Sequence, residues 1–248
     1  MPSILITGGT GKLGKHLVRH FLALGWEVGF TSTRPAGVSG LRADLGSPGA
    51  LHGFVLDLAD RDSIDSLVDS VKQEMTGVDF LVNNARSLDG LKIQPDGLTD
   101  RDDFLQELLI DVVAPYELTM KLAELERLRG VVNIGSMYGV VAPNLALYED
   151  PASQSPVQYG VAKAALIQLT RELAVRLASR QVRVNCVAYG GFEGRVDQAF
   201  LDRYAKLVPN GRMLREDEFS GPIEFLCSDA SSGMTGHTLS VDGGWTAW

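Results

Sequence analysis

Ser3-Ile4-Leu5-Ile6-Thr7 runs straight into Gly8-Gly9-Thr10-Gly11-Lys12-Leu13-Gly14, and that junction decides the fold. The first five residues read as a buried strand. From Leu13 to Leu24 the apolar residues recur at helical spacing: Leu13, Leu17 and Phe21 share a face with Val18 and Leu24, and Gly25 ends the pattern. A glycine-rich turn between a strand and a helix lets the backbone approach a pyrophosphate, while the helix start offers free N–H groups and the positive end of its dipole. Gly8, Thr10, Gly11, Lys12, Leu13 and Gly14 are therefore the first candidates for holding a dinucleotide.

Outward from this junction the alternation repeats. Strands are expected at Val28–Thr31, Gly53–Leu56, Asp79–Asn83, Gly130–Gly135, Val182–Ala188 and Thr238–Val241. Helices are expected at Ile64–Met75, at Phe104–Leu125 with an interruption near Pro115, at Gln158–Ala178 and at Glu218–Cys227. Residues 34–52, rich in Gly, Pro and Ser, read as a loop. Strand followed by helix, many times over, means βαβ units. Apolar runs such as Ile4-Leu5-Ile6 and Val131-Val132 suit parallel strands covered on both faces. The expected fold is α/β: a doubly wound Rossmann sheet of seven strands, mainly parallel, in one catalytic domain spanning 1–248. Ligands of such sheets bind beyond the carboxyl ends of the strands.

The end of the second strand discriminates between cofactors. A carboxylate there would bind the ribose diol of NAD and repel a 2′-phosphate. This chain has Thr31-Ser32-Thr33-Arg34. With no acid present, and a guanidinium able to pair with phosphate, Thr33 and Arg34 point to NADP in preference to NAD.

Tyr159 and Lys163 stand four residues apart on one helical face, and Ser136 closes the preceding strand. A phenol titrates at about pH 10 unperturbed, and a nearby ammonium favours its ionised form. A serine hydroxyl can hold a substrate oxygen. Together these groups could exchange a proton with a carbonyl or alcohol while a cofactor moves a hydride.

The 248 residues are 45% hydrophobic and carry a formal net charge of −8. That balance argues against nucleic acid and anionic membrane as partners, because binding phosphate takes a basic field. Cys186 and Cys227 read as buried free thiols, which suits a reducing compartment. No signal peptide and no bilayer-long apolar run are visible, so the chain is expected to be cytoplasmic. His16, His20, His52 and His237 lack metal-ligand spacing, and no metal is expected.

Over essentially its whole length the chain resembles the short-chain dehydrogenase/reductase family. The matching stretches are Thr7 to Gly14, Asp57-Leu58, Asn83-Asn84-Ala85, Ser136, Tyr159-Gly160-Val161-Ala162-Lys163, Asn185 to Gly191, Thr235-Gly236 and Asp242-Gly243-Gly244. The resemblance implies that Ser136 orients the substrate, that Tyr159 is the acid/base, and that Lys163 holds the nicotinamide ribose and tunes Tyr159. Asp57 and Leu58 would flank the adenine, Asn83 and Ala85 the adenosine ribose, and Gly190 the nicotinamide. Such proteins act on small-molecule carbonyls and alcohols and assemble as homodimers or homotetramers.

Four departures stand out. The glycine spacing Gly8-Gly11-Gly14 looks like that of the extended branch of the family, with Lys12 in the usual middle glycine place. Arg86 follows Asn83-Asn84-Ala85 where glycine is usual, and Tyr189 replaces a proline. Asp111 stands where an asparagine normally anchors a water to the lysine. A carboxylate there would stabilise the Lys163 ammonium and offset part of its field at Tyr159. These changes leave a second reading, a dinucleotide-binding sensor with weakened catalysis, and a third, a sugar-nucleotide epimerase or dehydratase. Loops 137–158 and 192–213 are expected to face the substrate. The first contains Asn144, Tyr148, Glu149, Asp150 and Gln154, polar groups that suit a sugar or another polyhydroxylated compound. The second is expected to form a mobile lid, with Arg195 and Tyr204 as possible contacts.

Overall fold

The computed structural model describes residues 1–194 and 196–247. Seven strands, β1 (Ser3–Ile6), β2 (Glu27–Ser32), β3 (Leu51–Val55), β4 (Phe80–Asn83), β5 (Gly130–Ser136), β6 (Arg183–Tyr189) and β7 (Thr238–Val241), form one sheet. Their order is β3-β2-β1-β4-β5-β6-β7, and every pairing is parallel. The chain winds outward from β1 to β3, then returns to place β4 on the other side of β1. This reversal opens a crevice at the carboxyl ends of β1 and β4.

The helices are α1 (Lys12–Ala23), α2 (Pro35–Asp44), α3 (Arg61–Glu74), α4 (Arg101–Leu108), α5 (Ala114–Ala123), α6 (Pro151–Gln154), α7 (Val157–Arg176), α8 (Gln198–Leu207) and α9 (Ser220–Leu226). Alternation along the strands divides the core between two layers. Leu5, Leu81, Val131 and Val184 face α3, α5 and α7 through Leu67, Leu118 and Leu173. Ile4, Ile6, Val28, Phe30 and Val132 face α1, α2 and α9 through Phe21, Leu41 and Ile223. The inner strands are therefore buried on both faces, which is why runs such as Ile4-Leu5-Ile6 and Phe80-Leu81-Val82 are continuously apolar rather than alternating, while the edge strands β3 and β7 are partly exposed.

Three elements differ from the sequence reading. Residues 34–52 hold helix α2 and the start of β3. Pro35 supplies the fixed φ of the first helical turn, and Leu41 is buried against the sheet. Gly37 and Gly40 gave the stretch its loop-like composition. Gly37 is a point of close approach, where a Cβ would collide with the Ser32 hydroxyl. Between α4 and α5 the expected long helix passes through a π turn, Leu109–Val113. Pro115 has no N–H to donate to the Asp111 carbonyl four residues back, so the regular ladder cannot continue there. The segment 192–213 contains α8, whose Asp197 side chain accepts a hydrogen bond from the Phe200 N–H at 2.8 Å. Tyr204 in that helix is a core residue, stacked on Trp245 and accepting the Gly191 N–H at 3.0 Å, rather than a substrate contact. Arg195 lies outside the described residues.

Candidate active site

The glycine loop is fastened to both neighbouring strands. The Gly8 N–H donates to Thr31 Oγ1 at 3.0 Å, and the Thr10 hydroxyl to Ser32 Oγ at 3.1 Å. Thr7 Oγ1 accepts from the backbone N–H groups of Asn84 and Ala85, both at 3.0 Å, and Asn84 Nδ2 donates to the Thr7 carbonyl at 2.8 Å. Gly8 has φ +66°, and a Cβ there would lie 2.8 Å from Ala85 Cα. At Gly14 a Cβ would strike the Gly8 carbonyl oxygen. Only glycine leaves this turn both tight and open above α1, and that cradle fits the pyrophosphate of a nicotinamide dinucleotide.

Two cavities continue from the cradle. One, of about 550 Å³, is lined by Gly8, Thr33, Asp57, Leu58 and Ala85. The other, of about 230 Å³, is lined by Lys12, Leu13, Ser136, Tyr159, Lys163 and Gly190 among others. At Gly190 a Cβ would come within 2.9 Å of Asp242 Cα, so a larger residue would force these two segments apart. Tyr189 closes the wall beside it, its ring 4.7 Å from that of Phe219 and 5.4 Å from that of Phe192.

Ser136, Tyr159 and Lys163 come together because the turn Met137–Gly139 lies directly on α7. A Cβ on Gly139 would sit 2.7 Å from the Lys163 carbonyl carbon. The Ser136 hydroxyl accepts the Tyr138 N–H at 3.2 Å. Lys163, buried, donates to the Ile134 carbonyl at 3.1 Å, and its ammonium lies 5.8 Å from the centre of the Tyr159 ring.

The π turn delivers Asp111 to this lysine. Its Oδ2 is 2.8 Å from Lys163 Nζ, in an ion pair buried at both ends. Burial alone would depress the lysine, but the Asp111 carboxylate and the Tyr159 phenol outweigh it and the net direction is upward. One helical turn earlier lies Glu107, also buried, with no partner for Oε1 among the described residues. Burial first, then the neighbouring Asp111 charge, push its carboxyl up to about 7.

Three further residues bear on the cleft. Lys12 donates to the Glu193 carbonyl at 3.2 Å and lies 3.7 Å from Glu216. It thereby ties the glycine loop to the start of the 192–213 segment. Arg86 lies with its guanidinium 5.2 Å from the centre of the Tyr159 ring. Tyr138 and Tyr148 share a hydrogen bond of 2.8 Å between their hydroxyls.

Residues 11–246 match the family model described as enoyl-(acyl carrier protein) reductase. An uncharacterized short-chain type dehydrogenase/reductase, y4vI of Sinorhizobium fredii, is 33% identical over 98% of this chain, which spans 43% of that relative's length. The 3-oxoacyl-[acyl-carrier-protein] reductase FabG of Salmonella typhimurium is 31% identical over 97% of this chain and 95% of its own length. The chain belongs to the short-chain dehydrogenase/reductase family. Among solved structures, a gluconate 5-dehydrogenase from Burkholderia cenocepacia, in complex with NADP and tartrate, superposes with a TM-score of 0.86. It is 26% identical and covers all of this chain and 96% of its own. As a family member the protein is an NAD(P)-dependent oxidoreductase.

Most of the residues singled out in the sequence line the cradle or its two cavities in this dehydrogenase/reductase. Asn83 is turned away: it is buried, and its Nδ2 donates to Asn133 Oδ1 at 2.8 Å within the sheet. The neighbouring Asn84 and Ala85 form the wall instead. Arg34 is exposed at the start of α2, outside the residues lining the cavity of about 550 Å³. Sequence reasoning missed Glu107, although an acid four residues before Asp111 on a helix was a readable signal. It also gave Arg86 no place beside Tyr159, which only the folded chain reveals.

Proposed function

We propose that this protein transfers hydride reversibly between NADP, or NAD, and the carbonyl or secondary alcohol carbon of a small polyhydroxylated compound. The observation that carries the reading is that one cavity is lined by Ser136, Tyr159 and Lys163 together, next to the glycine cradle. When bound, the cofactor supplies or accepts the hydride. In reduction, the Ser136 hydroxyl holds the carbonyl oxygen and the Tyr159 Oη donates its proton to that oxygen; in oxidation it takes the proton back. Lys163 and its partner Asp111 hold charge next to the phenol and orient the nicotinamide ribose. Lys12 and the backbone of Gly8 to Gly14 hold the pyrophosphate. Asp57, Leu58 and Ala85 hold the adenosine, and Gly190 borders the nicotinamide.

The preference for NADP rests on the absence of a carboxylate from Thr31 to Arg34 and on the exposed Arg34 guanidinium. The name of the gluconate 5-dehydrogenase supports a sugar-like substrate. So does the 137–158 loop, where Tyr148 and Gln154 line a cavity. Within the loop Glu149 pairs with Arg203 at 3.0 Å, and Asn144 caps a turn. The Tyr148 hydroxyl shares a hydrogen bond with Tyr138, and Gln154 Oε1 accepts the Glu149 and Asp150 N–H groups, which leaves the Gln154 amide N–H groups for a ligand. Exposed apolar side chains on α4, α5 and α7 and in the π turn, including Leu105, Val113, Tyr116 and Val175, support assembly as a homodimer or homotetramer. The two buried free thiols support a cytoplasmic location. Among the described residues no helix is long and apolar enough to cross a membrane.

Oxidation of NADPH and NADH, followed against a panel of ketones, keto-sugars and keto acids, tests the reading. Turnover is expected with native protein and its near-abolition in Tyr159→Phe. Binding of NADPH without turnover across the panel would favour a sensor instead.

A further inference from the structure

A cavity of about 610 Å³ shares Tyr159 with the cavity that holds Ser136 and Lys163. Leu91, Pro143, Leu145 and Val157 give it an apolar lining, with Tyr148 and Gln154 as neutral polar groups. Arg86 is the sole charged side chain among its described lining residues. That arginine also borders the cavity holding Ser136 and Lys163, so it stands where the substrate space meets the reacting atoms.

The Arg86 guanidinium forms no ion pair or side-chain hydrogen bond among the described residues. Its one close partner is the face of the Tyr159 ring. Asp111 is already committed to Lys163, and buried Glu107 feels the Arg86 charge without forming an ion pair with it. Arg86 therefore presents a planar fork of N–H donors to an otherwise uncharged cavity, the arrangement that recognises a planar anion through two parallel hydrogen bonds. A single monoanion balances this cavity. A phosphate dianion would need further cationic donors, and Lys12 and Lys163 line the other cavity, not this one.

We propose that Arg86 is a specificity-determining residue that binds a carboxylate of the substrate, making the preferred substrates short oxo acids and hydroxy acids, sugar acids included. The proposal rests on the reading of Tyr159 as the proton donor to the same molecule. With the Arg86 guanidinium 5.2 Å from the centre of that ring, a carboxylate bound to it lies a few carbons from the carbonyl being reduced. It also separates two demands: the cradle recognises the cofactor's phosphates, and Arg86 recognises the substrate's charge.

The test compares matched pairs differing only in the anion: acetoacetate with methyl acetoacetate, and 5-oxo-D-gluconate with L-sorbose. Each is assayed with native enzyme, Arg86→Gln and Arg86→Lys. Expected for Arg86→Gln is a loss of about 30-fold in kcat/KM on the acids, mostly through KM, with the neutral partners changed by less than about 3-fold. Arg86→Lys should recover only part of the loss, since an ammonium lacks the fork. NADPH affinity is measured alongside, because Arg86 also borders the adenosine-end cavity. Losses that are equal on acids and neutral partners, or that follow weakened NADPH binding, would overturn the proposal and assign Arg86 to the cofactor. Calorimetric binding of D-gluconate, a monoanion, to the NADPH complex separates the two readings. Arg86-dependent binding without turnover of any carbonyl would keep the anion subsite and reject the oxidoreductase reading. Turnover with gluconate binding indifferent to Arg86 would do the reverse.

Discussion

Replacing Glu107 with Gln removes one buried ionisable group while keeping its shape. In the folded protein its carboxyl titrates at about 7, against 4.5 for an ordinary glutamate, because burial and the Asp111 charge both oppose its ionisation. The folded chain therefore binds this proton more tightly than the unfolded chain between those values. Its contribution to stability is complete below about pH 4.5, falls as pH rises toward 7, and stays lost above. At about 1.4 kcal/mol for each pH unit, the span amounts to ~3 kcal/mol. Glutamine cannot ionise, so the Glu107→Gln protein should lack this decline and exceed the native protein by up to ~3 kcal/mol at about pH 8. Urea unfolding followed by circular dichroism, at matched protein concentration from about pH 5 to about pH 8, measures it. Two stability curves that stay parallel across this range would refute the reasoning and show that Glu107 is already ionised, or solvated, when folded.

Three other outcomes follow from the same geometry. Asp111→Asn removes the carboxylate that lifts Lys163, so burial prevails and the alkaline limb of the pH–rate profile should move to lower pH; a fixed or rising limb would reject the pairing as functional. Gly14→Ala places a methyl against the Gly8 carbonyl, and NADPH affinity by fluorescence titration should fall about 10-fold or more while the circular dichroism spectrum is retained. Asp79 is held below its ordinary value: burial opposes this, but hydrogen bonds from Arg127 and Ser3 outweigh it. The stability it provides is present above about 3.8 and lost as pH falls below. Arg127→Met should therefore lessen the loss of stability on acidification, as read from thermal unfolding at pH values on either side of about 4.

The strand–turn–helix from Ser3 to Leu24 was legible because its signals agree: a continuous apolar strand, glycines where backbone must approach a ligand, then helical spacing. Residues 34–52 were not, because Gly37 and Gly40 lower helix propensity while tertiary contacts of Leu41 and Val38 support the helix. Ser136, Tyr159 and Lys163 could be named from their types and spacing. Asp111 could be placed beside Lys163 only through the family resemblance, and the ion pair itself depends on a π turn: Pro115 announced an interruption of the helix, but not the form it takes. Arg86 was visible as an unexpected residue after Ala85, but its position over Tyr159 joins two distant segments through the sheet. Periodicity reports which face of an element is buried; it does not report which side chains from different elements meet.

The seam between Met137–Gly139 and α7 has a consequence for how this site can change. Residues 140–156 leave from that seam and return to it: Gly139 rests against Lys163, and a Cβ on Gly160 would lie 3.2 Å from the Tyr138 carbonyl oxygen. The two ends of the excursion are clamped together by backbone contact whatever lies between them. Lengthening such an excursion costs only fractions of a kcal/mol in closure entropy for a few added residues. Apart from Leu147, which is buried with Met137, Tyr204 and Trp245, the segment behaves as an interchangeable cartridge: its length and chemistry can be rewritten, by evolution or by grafting, while Ser136, Tyr159 and Lys163 keep their register.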